Sequence, residues 1–280
     1  VIDLHTHSTV SDGSDPPERI PELAAANGCR AVALTDHDRL DGLDAAAARA
    51  AAVGVELVRG VEISCEHRGT MHLLVYFLPA GEGPLQDELH RLQQARDDRN
   101  RRLADRLAVL GLPVTYEEIM AEAGGKGAGR PHVASILVRK GVVGSIQEAF
   151  DVWLAKGRPA YLEKARLAPD VAVRLAVASG GVPVLAHPLS LDLSAESTSA
   201  VVAALAGFGL AGVEAWYGRY TPSDREGIAA VAAAHGLVAT GGSDYHGRFK
   251  PDLQVGVGRG DLHVADGVLE ELRDRIPMPA

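Results

Sequence analysis

His5 and His7 stand two residues apart, directly after the apolar run Val1 to Leu4. In an extended segment that spacing puts both imidazoles on one face, where a single cation could take both. The same kind of residue recurs along the chain. Asp36 and His37 follow Ala31 to Leu34, Glu62 follows Val55 to Val61, and His72 opens Met71 to Leu78. His187 follows Val182 to Ala186, and Asp244 and His246 close Gly241-Gly242-Ser243-Asp244-Tyr245-His246. Asp12 lies in Ser11-Asp12-Gly13-Ser14, a turn-forming sequence in which an Asx turn is the plain alternative to a ligand.

Taken singly, a histidine at a strand end is more often a hydrogen-bonded structural residue than a ligand. Taken together, these side chains would form a knot of charge at the ends of successive strands, and unpaired buried charge is very costly. Divalent metal ions supply the missing compensation. Mixed imidazole and carboxylate donors suit Mn, Fe or Zn. His67, His90, His235 and His263 have no such company and read as surface or capping residues.

The elements that must hold these residues can be read from the apolar pattern. Short apolar runs alternate with helical stretches at about 17–27 and 43–53, the signature of βαβ units and a mostly parallel sheet. Gly28 and Gly54 fall where left-handed helix caps would precede a strand. In such sheets and barrels, the loops at strand C-terminal ends build the active site.

From Gly83 to about Glu163 the pattern changes to a long charged helix over 85–110 and shorter helical pieces without clear strands, a helical insertion. After Leu167 the alternation resumes. The expected organisation is a discontinuous domain over 1–82 and 166–280 interrupted by an insertion over 83–165. Within the insertion, Gly124-Gly125-Lys126-Gly127-Ala128-Gly129 reads as a plain loop or one that covers substrate; no strand precedes it and the Walker pattern is absent. Gly129-Arg130-Pro131-His132 opens a helix, where backbone N–H groups and the Arg130 guanidinium favour a phosphate. For His132, helix capping is the competing role.

The net charge of -9 argues against a nonspecific grip on duplex nucleic acid, which depends on many Lys and Arg contacts. A small anionic substrate is compatible with it, because bound cations reverse the local field of an acidic pocket. Hydrophobic residues at 46% and charged residues at 23% match ordinary folded proteins and exclude global disorder. Two cysteines, Cys29 and Cys65, make no disulfide framework. With no membrane-length apolar run and no signal peptide, the expected location is cytoplasmic.

With these motifs in hand, the chain resembles the polymerase and histidinol phosphatase (PHP) family. The resemblance rests on four regions: His5-Thr6-His7 with Asp12; Thr35-Asp36-His37; Glu62 with His72 and then His187; and Ser243-Asp244-Tyr245-His246. It implies an α/β fold, a distorted seven-stranded β/α barrel with a trinuclear metal centre, here carrying the helical insertion. The implied sites are His5, His7, Glu62 and Asp244; Glu62, His72 and His187; and Asp12, His37 and His246, with Glu62 bridging the first two. Some family members have His where this chain has Asp12.

The insertion looks like that of the family's nucleotide phosphatases, which act on 3',5'-bisphosphonucleotides, and of related 5'-to-3' exonucleases on short RNA. The implied reaction is attack of hydroxide on phosphorus, with metals about 3.5 to 4 Å apart activating water and clamping the phosphoryl oxygens. Asp36 would orient an imidazole or support the strand-end turn, and His132 would protonate the leaving oxygen. The rival readings are a histidinol-phosphate-type phosphatase, an amidohydrolase-like metal hydrolase, and a noncatalytic metal-stabilised scaffold.

Overall fold

Seven strands form one sheet in chain order: β1 (Ile2–Asp3), β2 (Ala31–Leu34), β3 (Glu56–Cys65), β4 (Met71–Tyr76), β5 (Val182–Leu185), β6 (Gly212–Tyr217) and β7 (Val238–Gly242). The structure is a computed structural model that describes residues 1–124 and 127–278; Gly125 and Lys126 of the glycine-rich run lie outside the described residues. The helices are α1 (Arg19–Ala26), α2 (Leu43–Val53), α3 (Pro84–Val109), α4 (Tyr116–Glu122), α5 (Arg130–Arg139), α6 (Ile146–Ala149), α7 (Pro169–Ala178), α8 (Ala195–Ala206), α9 (Pro222–Ala234) and α10 (Gly267–Arg273).

Parallel pairing joins β1 to β2, β2 to β3, β5 to β6 and β6 to β7, whereas β4 runs antiparallel to both β3 and β5. The reversal follows from the connection. Only residues 66–70 separate β3 from β4, and a parallel return needs a dozen residues or more. Because β4 is reversed, its beginning lies beside the far end of β3, with His72 opposite Ser64.

Strand β3 is longer than expected from sequence. Apolar alternation continues through Ile63 and Cys65, which pair with Leu73 and Met71. Glu62 therefore sits inside a paired strand, opposite Leu74, and not at its end.

The sheet nearly closes into a barrel. At the seam the Leu4 N–H donates to Gly241 O (3.2 Å), the Asp244 N–H to His5 O (2.8 Å) and the His7 N–H to Tyr245 O (2.9 Å). Side chains alternate across the sheet as the pleat requires. Ala31, Ala33, Leu74, Tyr76, Val182 and Val184 join a cluster with Leu269 and Leu272 of α10, while Val32 and Leu34 face Ile20 of α1 and Ala46 of α2. Cys29 and Cys65 are both buried thiols, and burial pushes the Cys29 thiol up to about 12.

The chain divides into two compact units, Val1–Leu89 with Arg166–Ala280, and His90–Ala165. The second is helical and has its own apolar core, including Leu103, Leu107, Ile119, Val133, Leu137 and Leu154. Among the described residues no helix is long and apolar enough to cross a membrane.

Candidate metal centre

At the rim of the barrel, the two oxygens of the buried Glu62 divide the surrounding histidines between them. Oε1 lies 2.8 Å from His72 Nδ1 and 3.0 Å from His187 Nε2. Oε2 lies 3.1 Å from His7 Nε2, 3.2 Å from His37 Nδ1 and 3.3 Å from His5 Nε2. The antiparallel course of β4 brings His72 to this rim although it begins its strand.

Asp244 completes the inner cluster through Oδ1, which is 3.5 Å from His5 Nε2, 3.4 Å from His7 Nε2 and 3.3 Å from His246 Nδ1. Its other oxygen, Oδ2, accepts from Tyr217 OH at 2.6 Å and from Lys250 Nζ. Asp12 closes the more open side, with Oδ1 3.3 Å from His246 Nε2 and Oδ2 3.7 Å from His37 Nε2.

All nine residues expected as ligands are thus brought together, in four overlapping groups whose donor atoms lie within 4.8 Å of one another. The groups are His7, Asp12, His37 and His246; His5, His7 and Asp244; His5, Glu62 and His187; and His37, Glu62 and His72. His5, His7, His37 and Glu62 each belong to two of them.

Several histidines have their outward nitrogen held by an oxygen, which leaves the inward nitrogen as a donor for a cation. His5 Nδ1 lies 2.8 Å from Glu214 Oε1, and His246 Nδ1 lies 2.9 Å from Asp244 O. His187 Nδ1 lies 2.8 Å from Ser190 Oγ, whose hydroxyl donates to Thr70 O. His7 Nδ1 lies 3.4 Å from Ser11 Oγ, whose hydroxyl donates to Asp36 Oδ1 at 2.6 Å.

An oxygen acceptor places the proton on the outward nitrogen and the lone pair inward. His37 Nδ1 is buried without a hydrogen bond. A set of inward imidazole nitrogens around a shared carboxylate, with one buried nitrogen unsatisfied, fits divalent cations of the Mn, Fe and Zn type.

The electrostatics agree. Burial alone would lower His7, but Asp244 and Glu62 outweigh it and push it up to about 9. His5 is also raised, with burial outweighed by Glu214, Glu62 and Asp244. Burial drives His37 down to about 3. Burial would raise Glu62, Asp12 and Asp244, yet all three are held well below the usual carboxylate range, the first two by histidines and Asp244 by Lys250 and histidines. Positive charge, as protons or as cations, is what stabilises this cluster.

Asp36 does not bond the neighbouring His37. Its carboxylate accepts from Ser8 N–H (2.8 Å), Ser8 Oγ (2.6 Å) and Ser11 Oγ (2.6 Å), so it supports the turn after β1 and reaches His7 through Ser11. In the helical unit, His132 Nδ1 accepts from Gly129 N–H at 3.1 Å, the capping role. Arg130 donates to Leu154 O at 3.2 Å, and its guanidinium lies 5.3 Å from the Tyr161 ring centroid.

Sequence reading missed Glu214, Tyr217 and Lys250. A signal existed for the first, an acid inside the apolar strand Gly212-Val213-Glu214-Ala215. Asp3 was missed as well; it is buried and accepts from the N–H groups of His5, Ser243 and Gly256.

A nearly closed β/α barrel with a rim of histidines and carboxylates around a shared glutamate defines a metal-dependent hydrolase. Residues 3–154 match the PHP domain family model, and the chain belongs to that family. It is a metal-dependent phosphoesterase. It is 31% identical to the 3',5'-nucleoside bisphosphate phosphatase of Chromobacterium violaceum, over 100% of this chain and 99% of that protein. It is also 31% identical to a 5'-3' exoribonuclease of Haemophilus influenzae, over 87% of this chain and 89% of that one. A solved structure from Bifidobacterium adolescentis, described as a metal-dependent phosphoesterase, superposes with a TM-score of 0.84 at 29% identity, covering 99% of this chain and 96% of that one.

Proposed function

We propose that the nine clustered residues hold two or three divalent ions of the Mn, Fe or Zn type, and that the enzyme hydrolyses a phosphate monoester of a nucleotide. The proposed substrate is a 3',5'-bisphosphonucleotide, converted to the 5'-monophosphate and phosphate. The observation that carries the metal reading is the division of the Glu62 oxygens between two sets of histidines. Full-length similarity to the Chromobacterium violaceum phosphatase supports the substrate.

When bound, such ions supply Lewis acidity toward phosphoryl oxygens and toward water. The chain's residues do the rest. Glu62, paired with Leu74 of β4 on one side and bridged to His37 on the other, spans the two histidine sets. Tyr217 and Lys250 hold one oxygen of Asp244 and so aim the other inward. Asp12, with its side chain 34% exposed, stands on the side open to substrate. The helical insertion selects the nucleotide, with Arg130 at the start of α5 holding the phosphate that does not react.

A second reading, 5'-to-3' cleavage of short RNA, is favoured by similarity to the Haemophilus influenzae enzyme. Both place a small phosphorylated molecule, nucleotide or short oligonucleotide, in the site. Metal analysis and product analysis on a 3',5'-bisphosphonucleotide, the matching 5'-monophosphate and a 5'-phosphorylated short RNA, each with added Mn, separate them. Phosphate release from the bisphosphonucleotide in preference to the others is the expected result. Faster mononucleotide release from RNA would establish the second reading, and inertness toward all three would overturn both.

A further inference from the structure

Glu214 lies in β6 with no exposed surface, and it belongs to none of the four donor groups found among the described residues. Its two oxygens serve two different residues of the centre. Oε1 is 2.8 Å from His5 Nδ1, and Oε2 accepts from the backbone N–H of His187, also at 2.8 Å. A buried carboxylate is a costly way to fill space, and an apolar residue would pack β6 at lower cost. Its retention calls for a role that only an acceptor can perform.

The two bonds have separate consequences. An ionised carboxylate offers no proton, so the proton between it and His5 must sit on Nδ1, and in the neutral ring Nε2 keeps its lone pair. That Nε2 is the atom facing His7, Glu62 and Asp244. At His187 the backbone is left-handed, with φ 25 and ψ 62, a conformation that a residue with a side chain holds only when its surroundings impose it. The bond to Glu214 is one such constraint, and it aims the ring so that Nε2 comes within 3.0 Å of Glu62 Oε1. His5 faces one oxygen of Glu62 and His187 the other.

We propose that Glu214 is a positioning residue that sets the His5 tautomer and the His187 backbone together, preparing both halves of the centre for their cations. The inference rests on the reading of the nine residues as metal ligands. It makes a specific demand on Glu214→Gln, because glutamine has one acceptor oxygen where two N–H groups require acceptance. Either His187 loses its bond, or the amide donates to His5 Nδ1 and drives the ring proton to Nε2, where it blocks ligation.

The test is a Mn2+ titration of the metal-stripped full chain against a competing chelator, wild type beside Glu214→Gln, with thermal melts of both metal-free proteins. The expected result is affinity weakened about 10- to 100-fold, the usual cost of losing a ligand's hydrogen-bond partner, with a metal-free protein that still unfolds in one cooperative transition, at a temperature lowered by the buried N–H left without an acceptor. In Zn2+-loaded wild type, ring 15N shifts should report His5 protonated at Nδ1.

Unchanged affinity and stoichiometry in the variant would overturn the inference. Ring 15N shifts that show His5 protonated at Nε2 in Zn2+-loaded wild type would also overturn it. Should Glu214→Gln fail to fold, Glu214→Asp keeps the charge but is too short to serve both groups, and normal affinity there would be equally fatal. Wild type that binds no ion would instead refute the metal reading itself.

Discussion

His5 Nε2 and His7 Nε2 face each other at 3.1 Å inside the barrel rim. Two imidazole nitrogens at that distance need a shared proton or a shared cation between them, and the surrounding carboxylates favour either. Protons and metal ions therefore compete for the same space.

That competition has a sign. His7, raised to about 9, holds its proton in the metal-free protein at about pH 7, yet it can ligate only when neutral. Metal binding at about pH 7 should release at least one proton per chain, and apparent affinity should rise with pH up to at least about 9, because His5 is raised as well. Calorimetric Mn2+ titrations in buffers of different ionisation enthalpy check this. A heat independent of the buffer would contradict it.

Glu62 and Asp12 should differ sharply in importance. Glu62 is buried and within 3.3 Å of five histidines, whereas Asp12 is partly exposed on one side of the cluster. Glu62→Ala should lower kcat/KM by at least about 100-fold, roughly 2.7 kcal/mol, and bound metal should fall by more than one ion per chain. Asp12→Ala should lose less of both. Kinetics combined with elemental analysis gives the ranking, and a reversed order would show that Glu62 does not bridge.

Gly242 is where the seam permits His5 to sit. A Cβ there would lie 2.4 Å from His5 N and 2.5 Å from His5 Cβ, distances no real contact tolerates. Gly242→Ala should therefore displace His5, lower stability by about 1 to 3 kcal/mol as overpacking does, and weaken metal binding as well. A denaturant melt and a Mn2+ titration measure the two effects, and a stable variant with full affinity would mean the seam yields elsewhere.

The sequence made the inward donors legible because histidines and carboxylates at successive strand ends have few other physical explanations. It also contained the reversal of β4, since the stretch 66–70 is too short for a crossover, although a mostly parallel sheet was the expectation. Glu62 was harder to place, because Ile63 and Cys65 extend its strand only through pairing with β4.

The supporting residues were least visible. Glu214 is 209 positions from the His5 it orients, and no local pattern links them. Asp36 was open between two roles: its neighbour in sequence is His37, but its bonds go to Ser8 and Ser11, in support of a turn. Side-chain direction, set by the fold, decides which contact forms.

Arg130 carries the last prediction. It opens α5 after the glycine-rich run and is half-buried, with its guanidinium held by Leu154 O and beside the Tyr161 ring. A guanidinium restrained in this way is preorganised for a two-pronged contact to phosphate, which an ammonium does not reproduce. Arg130→Ala should cost about 1.5 to 3 kcal/mol on a 3',5'-bisphosphonucleotide, the range for hydrogen bonds to charged groups. That is roughly ten- to hundredfold in kcat/KM. Arg130→Lys should recover only part of it. On the matching 3'-monophosphate, which lacks the phosphate that does not react, and on a small generic phosphate ester, the loss should be much smaller, because the contact Arg130 would make is absent from both. Steady-state kinetics of the three proteins on the three substrates decides the matter, and an equal fold-loss on all of them would show that Arg130 does not read the second phosphate.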